Sequence, residues 1–231
     1  MCAAAARSTS ETGSEPTARE VAIGPLGVAG TLNLPSPAKA LVVFVHGSGS
    51  SRFSPRNRAV AQVLNRHGMA TLLFDLLTPA EEQDRANVFD IGLLAGRLVD
   101  VVQWIDRQPE LKRLPLGLFG ASTGAAAALV AAARLGHRVH AVVSRGGRPD
   151  LADAALERVT APTLLIVGGL DYGVIELNEQ AYARLRAEKA LEIVPDATHL
   201  FPEPGALDKV IELATRWFAT HLAAPARAGE A

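Results

Sequence analysis

Residues Leu116-Gly-Leu-Phe-Gly-Ala-Ser-Thr-Gly-Ala-Ala-Ala-Ala-Leu129 restrict this chain more than any other stretch. A short apolar run ends in Gly120-Ala121-Ser122-Thr123-Gly124 and passes into an alanine-rich segment of high helix propensity that stops at Gly136. The pattern predicts a strand, a sharp turn and a helix, with Ser122 on the turn. Such a serine needs small residues two before and two after it, because the strand and helix backbones crowd both positions; Gly120 and Gly124 supply them. Ser122 is therefore expected to stand exposed at the carboxyl edge of a sheet as a candidate nucleophile. A lone G-x-S-x-G match is an ordinary turn; the flanking strand and helix give this one its meaning.

The rest of the chain alternates between short β-type runs and amphipathic helical ones. Glu20 to Ile23 and Ala29 to Leu34 predict an edge hairpin around Gly24-Pro25-Leu26-Gly27. Buried-type strands are expected at 40–45, 70–74, 116–119, 140–143, 163–167 and 191–194. Helices are expected at 56–66, 91–107, 125–134, 152–158, 177–188 and 206–221, with polar loops at 75–90 and 144–150. This alternation implies an α/β fold with a mostly parallel central sheet flanked by helices, and ligands outside the carboxyl ends of the strands. At 231 residues and 48% hydrophobic content, one domain over residues 20–222 is expected. Residues 1–19 read as a disordered tail and 223–231 as a frayed one. One loop and a short helix follow Val143, which leaves no room for a cap domain.

Composition excludes several classes. A formal charge of −1 provides no global footprint for nucleic acid or an anionic membrane surface, so charged-ligand recognition must be local. The single cysteine, Cys2, permits neither a disulfide framework nor a Cys/His metal set, and no metal site is expected. The apolar segments are too short to cross a bilayer, and residues 2–6 lack the basic flank and length of a signal peptide. A cytoplasmic protein is expected, and a homo-oligomer is compatible with the sequence.

Serine hydrolysis needs a base for the hydroxyl proton, a carboxylate to orient that base, and backbone amides for the tetrahedral oxyanion. Asp171 follows a strand in a Gly-Gly turn and His199 follows the next strand, so the chain order is Ser122, Asp171, His199. Asp196 and Glu176 are the alternative acids; Asp196, three positions from His199, is badly placed to reach its far nitrogen. Among the six histidines, His67, His137, His140 and His221 lie on helix ends or outside loops suited to catalysis, and His46 fits an oxyanion turn. The amides of Thr123, at the helix start, and Ser48, after His46-Gly47, are the candidate oxyanion donors. Asp75 follows a strand but precedes Ser122, and reads as a structural carboxylate.

HGSGSS at 46–51, GASTG at 120–124, GGLD at 168–171 and the His199 loop together resemble the α/β-hydrolase superfamily, specifically its small, lid-free dienelactone hydrolase-like branch. The resemblance covers about residues 20–222. It implies the α/β-hydrolase fold and a cofactor-free esterase or lactonase acting on a small-molecule ester. One departure matters: dienelactone hydrolases proper carry cysteine in this turn, whereas this chain carries Ser122, which favours a carboxylic ester. Acyl transfer on the same triad and a non-catalytic hydrolase-fold binding module are the competing readings. A dinucleotide-binding fold is disfavoured because the glycine turn is mid-chain and lacks G-x-G-x-x-G.

Arg52 and Arg56 flank the oxyanion turn, and Arg145 and Arg148 follow the strand after the elbow. Arg52 and Arg145 are the candidate substrate contacts, suited to a carboxylate or phosphate. Arginine outnumbers lysine 19 to 4 here, so abundance alone does not identify an anion site.

Overall fold

Six consecutive apolar residues, Ala40–Val45, form β3, and all six are buried because this strand has a neighbour along each edge and helices over each face. The computed structural model describes residues 18–223. Around β3 are β1 (Ala18–Ile23), β2 (Val28–Asn33), β4 (Met69–Phe74), β5 (Leu116–Ala121), β6 (Val139–Arg145), β7 (Thr163–Gly168) and β8 (Lys189–Val194). They form one sheet in the order β1-β2-β4-β3-β5-β6-β7-β8. The β1/β2 hairpin is antiparallel, β2 runs antiparallel to β4, and every other pair is parallel. This is the mostly parallel sheet with an N-terminal edge hairpin that the sequence implies.

The two-residue period of β3 divides the core. Leu41, Val43 and Val45 face one apolar layer, and Ala40, Val42 and Phe44 face the other. The first layer is covered by α3 (Ile91–Ile105), α4 (Thr123–Leu135) and residues of α5 (Tyr172–Arg184). The second is covered by α1 (Pro55–Arg66) and α6 (Ala206–His221). Leu94, Leu98, Val101, Val102 and Ile105, the expected stripe of α3, are all buried. Alanine at 125–128 lets α4 lie close to the sheet, with all four side chains buried. Ser54 caps α1, its hydroxyl accepting from the Asn57 amide at 3.4 Å.

Several boundaries differ from the sequence expectation. Ala18 and Arg19, expected in the tail, pair in β1; the remainder of that tail and residues 224–231 lie outside the described residues. The 75–90 loop contains a 3₁₀ turn at Glu81–Gln83 and a short helix, α2 (Arg85–Phe89). Local caps build these turns: Asp84 accepts from the Ala86 amide and Asp90 from the Leu93 amide, both at 2.9 Å. Such contacts leave no apolar periodicity to read. β6 continues through Arg145, because Ala121 and Ile166 pair with that residue on either side. α5 starts five residues before its expected position, as the Asp171 carbonyl accepts the amides of Val174 and Ile175 at 2.9 Å. It ends early because Lys189, at the start of β8, donates to the carbonyls of Tyr182 and Leu185 at 2.8 and 2.6 Å. Among the described residues no helix is long and apolar enough to cross a membrane.

The tightest crossing lies between α4 and β3. A Cβ at Gly124 would lie well inside contact distance of the Val45 and His46 carbonyl oxygens. Gly124→Ala is therefore expected to destabilise the protein by about 3 kcal/mol, through overpacking against backbone that cannot yield. Urea denaturation should show a lower midpoint at an unchanged slope.

Candidate active site

The turn after β5 is strained. Ser122 has φ 51° and ψ −124°, a left-handed conformation that costs a residue with a Cβ about 1–3 kcal/mol. Backbone hydrogen bonds hold it there: the Ser122 amide donates to the Arg145 carbonyl at 3.3 Å, and its own carbonyl accepts from Ala125 at 3.1 Å and Arg148 at 3.0 Å. The small residues two positions away are required by space, since a Cβ at Gly120 would meet the Ala125 Cα at 2.5 Å. Ser122 itself is half-buried at the carboxyl edge of β5.

Asp171 and His199 meet across the ends of β7 and β8. Asp171 Oδ2 lies 2.7 Å from His199 Nδ1. The backbone around them explains why. A Cβ at Gly168 would collide with the Ala197 carbonyl and come within 2.7 Å of the Thr198 oxygen, so the loop carrying His199 can pack directly on the Gly-Gly turn. The amides of Gly169 and Leu170 donate to the Val194 and Ala197 carbonyls at 2.8 and 2.9 Å. The imidazole then lies over Gly146, where a Cβ would approach His199 Cε1 to 3.6 Å. The other carboxylates considered from sequence, Asp196 and Glu176, are exposed and make no hydrogen bond to His199. Among the described residues, the Ser122 hydroxyl has no hydrogen-bond partner.

The first oxyanion position differs from expectation. The Ser48 amide donates to Thr123 Oγ1 at 3.0 Å, so it is occupied rather than open. The cause is local: Thr123 occupies the first turn of α4, pressed against the end of β3, and its hydroxyl reaches across to the turn. The Thr123 amide, as the first in α4, has no intrahelical acceptor. His46 fixes the same turn, with Nδ1 3.0 Å from the Gly47 carbonyl and Nε2 accepting from the Leu76 amide at 3.1 Å. That geometry requires the Nδ1–H tautomer. Burial, the largest influence, holds His46 below its ordinary value of 6.5, and it has no free nitrogen with which to act as a base.

The arginines divide. Arg52, expected to contact substrate, is engaged within the protein: Asp75 takes its guanidinium, Glu20 approaches at 3.5 Å, and it stacks 4.1 Å from the Phe53 centroid. Proximity of Asp75, after β4, is the reason. Arg148 is forked onto Asp150 at 2.9 and 2.8 Å, which raises its pKa. Arg145 is buried, with no such partner among the described residues. A cavity of about 370 Å³ lies against the 46–51 turn, walled by Leu76, Leu77, Val88 and Leu94, with Glu82 on its lining. Sequence reasoning missed this wall; the Leu-Leu pair immediately after the carboxyl end of β4 was its only signal. No group of three or more His, Cys, Asp or Glu side chains among the described residues is placed to hold a metal.

Residues 28–222 match the model of the dienelactone hydrolase family. A solved dienelactone hydrolase from Anabaena variabilis is 53% identical, with a TM-score of 0.87 over 90% of this chain and all of that one. Est1E from Butyrivibrio proteoclasticus shares the fold at 16% identity, with a TM-score of 0.74 over 88% of this chain and 98% of its own. A provisionally named phosphoribosyl transferase of Mycobacterium tuberculosis is 60% identical over 210 residues, 91% of this chain. The chain spans 47% of that relative's length.

Two outcomes test the geometry of the turn. Thr123→Val, which removes the acceptor of the Ser48 amide, should cost about 1 kcal/mol and lower the melting temperature by about 2–4 °C. His46 is held neutral in the fold, so the unfolded chain takes up its proton first as pH falls. Stability should therefore decline below about pH 6.5, by at most about 1.4 kcal/mol per pH unit, until the lowered folded-state pKa is passed. His46→Gln should flatten that part of a denaturation-versus-pH profile.

Proposed function

The chain belongs to the dienelactone hydrolase family, and we propose that it is a serine hydrolase that cleaves a small carboxylic ester or lactone through an acyl-enzyme on Ser122. The observation that carries this reading is the 2.7 Å Asp171–His199 hydrogen bond, held over Gly146 beside a strained serine turn. With Nδ1 bound to Asp171, the free His199 Nε2 is left to take the Ser122 proton. The Ser122 Oγ adds to the carbonyl carbon, and the negative oxygen is met by the Thr123 amide at the positive end of α4. Rotation of the Thr123 hydroxyl away from Ser48 would release the second amide to the same oxygen. Collapse expels the alcohol, which takes its proton from His199. Water, deprotonated by His199, then attacks the acyl carbon and frees Ser122. The 370 Å³ cavity beside the 46–51 turn suits a small acyl or alcohol group.

The phosphoribosyl transferase name of the 60% identical relative belongs to a protein about twice as long, and nothing in the Ser122 turn or the Asp171–His199 pair favours transfer of a phosphoribosyl group.

A fluorophosphonate should add one adduct at Ser122 and abolish hydrolysis of a short-chain p-nitrophenyl ester, read by intact mass and peptide mapping. Substantial ester cleavage by Ser122→Ala would remove the nucleophile assignment. Asp171→Asn should lower kcat by about 10⁴, by leaving His199 in the wrong tautomer, while Asp196→Asn should have little effect. An added alcohol that diverts the acyl-enzyme from water would indicate acyl transfer instead.

A further inference from the structure

Four arginines stand at the carboxyl edge of the sheet near the elbow, and only two of them are neutralised. Arg52 and Arg148 have Asp75 and Asp150. Arg145 and Arg56 are in no ion pair among the described residues, and the Nε of each is buried without a hydrogen-bond partner.

Arg145 is the more constrained. It ends β6, its carbonyl receives the Ser122 amide, and the next residue, Gly146, carries the His199 imidazole. Only 6% of it is exposed, with the guanidinium carbon 6.0 Å from the centroid of the buried Phe201 ring. Among the described residues its terminal nitrogens make no hydrogen bond, and of its nitrogens Nε alone is sealed from solvent without a partner. Arg56, half-buried in the first turn of α1, is close enough that its charge weakens Arg145's hold on its proton. Together with the larger effect of burial, this brings the Arg145 pKa down to about 10. The Arg145 guanidinium therefore remains charged at neutral pH.

A buried guanidinium without a counter-charge is unfavourable, and like charges brought together add to the cost. Among the described residues, the fold places carboxylates on Arg52 and Arg148 but none on Arg145 or Arg56. A ligand can supply the missing charge. A carboxylate would offset one of the two cations, whereas a phosphate monoester, carrying about −1.5 to −2 near pH 7 and several acceptor oxygens, offsets both and suits the fork geometry of guanidinium groups. We propose that Arg145 and Arg56 form a phosphate-binding subsite beside Ser122, and that the substrates are esters or lactones bearing a phosphate monoester on the part directed towards α1. The phosphate is held and not transferred; the bond broken is the acyl–oxygen bond of the ester. The substrate class rests on the serine hydrolase reading, but binding of phosphate does not.

Calorimetric titration of inorganic phosphate at constant ionic strength, with sodium acetate as comparison, tests binding in wild type, Ser122→Ala, Arg56→Gln and Arg145→Met. Phosphate should bind wild type and Ser122→Ala alike, and about tenfold or more weaker in each arginine variant. Arg56→Gln, at a half-buried helix position, keeps the test available if Arg145→Met does not fold. Kinetically, an O-acetylated hydroxyalkyl phosphate should exceed the matched ester bearing a hydroxyl in kcat/KM by about tenfold or more, and either arginine variant should erase this preference through KM. Acetate binding as tightly as phosphate, or a preference unmoved by both variants, would overturn the subsite. Phosphate binding by a protein that cleaves no ester would leave the subsite standing and remove the hydrolase reading. Ester cleavage with no phosphate binding would do the reverse.

Discussion

The close approach of α4 to the end of β3 is the contact on which the carboxyl edge of this protein depends. With no side chain at 124, the first turn of α4 rests against the Val45 and His46 carbonyls. That contact brings the 46–51 turn onto the elbow, where a Cβ at Gly47 would fall 2.9 Å from Ser122 Cβ. It also brings Thr123 Oγ1 within reach of the Ser48 amide, and His46 then ties the turn to Leu76 on the cavity wall. Strand end, Ser122 turn and pocket are thus parts of one packed unit. The positive φ of Ser122 persists because its neighbours on every side over-determine it.

A second unit carries Asp171 and His199. The Gly168-Gly169 turn admits the backbone of residues 197–198, and main-chain hydrogen bonds hold the two segments together where Asp171 meets His199. Asp196 and Phe201, on either side of His199, also have positive φ, so the loop is bent sharply at both ends. The two units meet at Gly146, beneath the imidazole. Arg145, buried and in no ion pair among the described residues, precedes it in the chain, and its carbonyl accepts the Ser122 amide.

Much of this was legible from local pattern. The two-residue and 3.6-residue periods locate β3 and α3, the crowding argument selects Gly120 and Gly124, and chain order with strand-end placement brings forward Asp171 and His199, which the fold sets 2.7 Å apart. The misreadings share a cause. The α2 turn, the early start of α5 and the length of β6 are set by caps and by pairing with distant strands, which leave no periodic trace in their own residues. The state of individual polar groups was equally hidden. Nothing adjacent to Ser48 shows that its amide is taken by Thr123, 75 positions away, and nothing adjacent to Arg52 shows that Asp75 neutralises it.

By itself, then, the sequence determined the layered α/β architecture, the sharp Ser122 turn and the identities of the residues that surround it, because strand and helix periods and steric needs at a turn are local properties of the chain. Only the tertiary structure decided which of those groups are free to act. Hydrogen-bond occupancy and charge compensation depend on distances between segments far apart in sequence, as with Thr123 and Ser48, Asp75 and Arg52, and the two arginines that meet no carboxylate among the described residues.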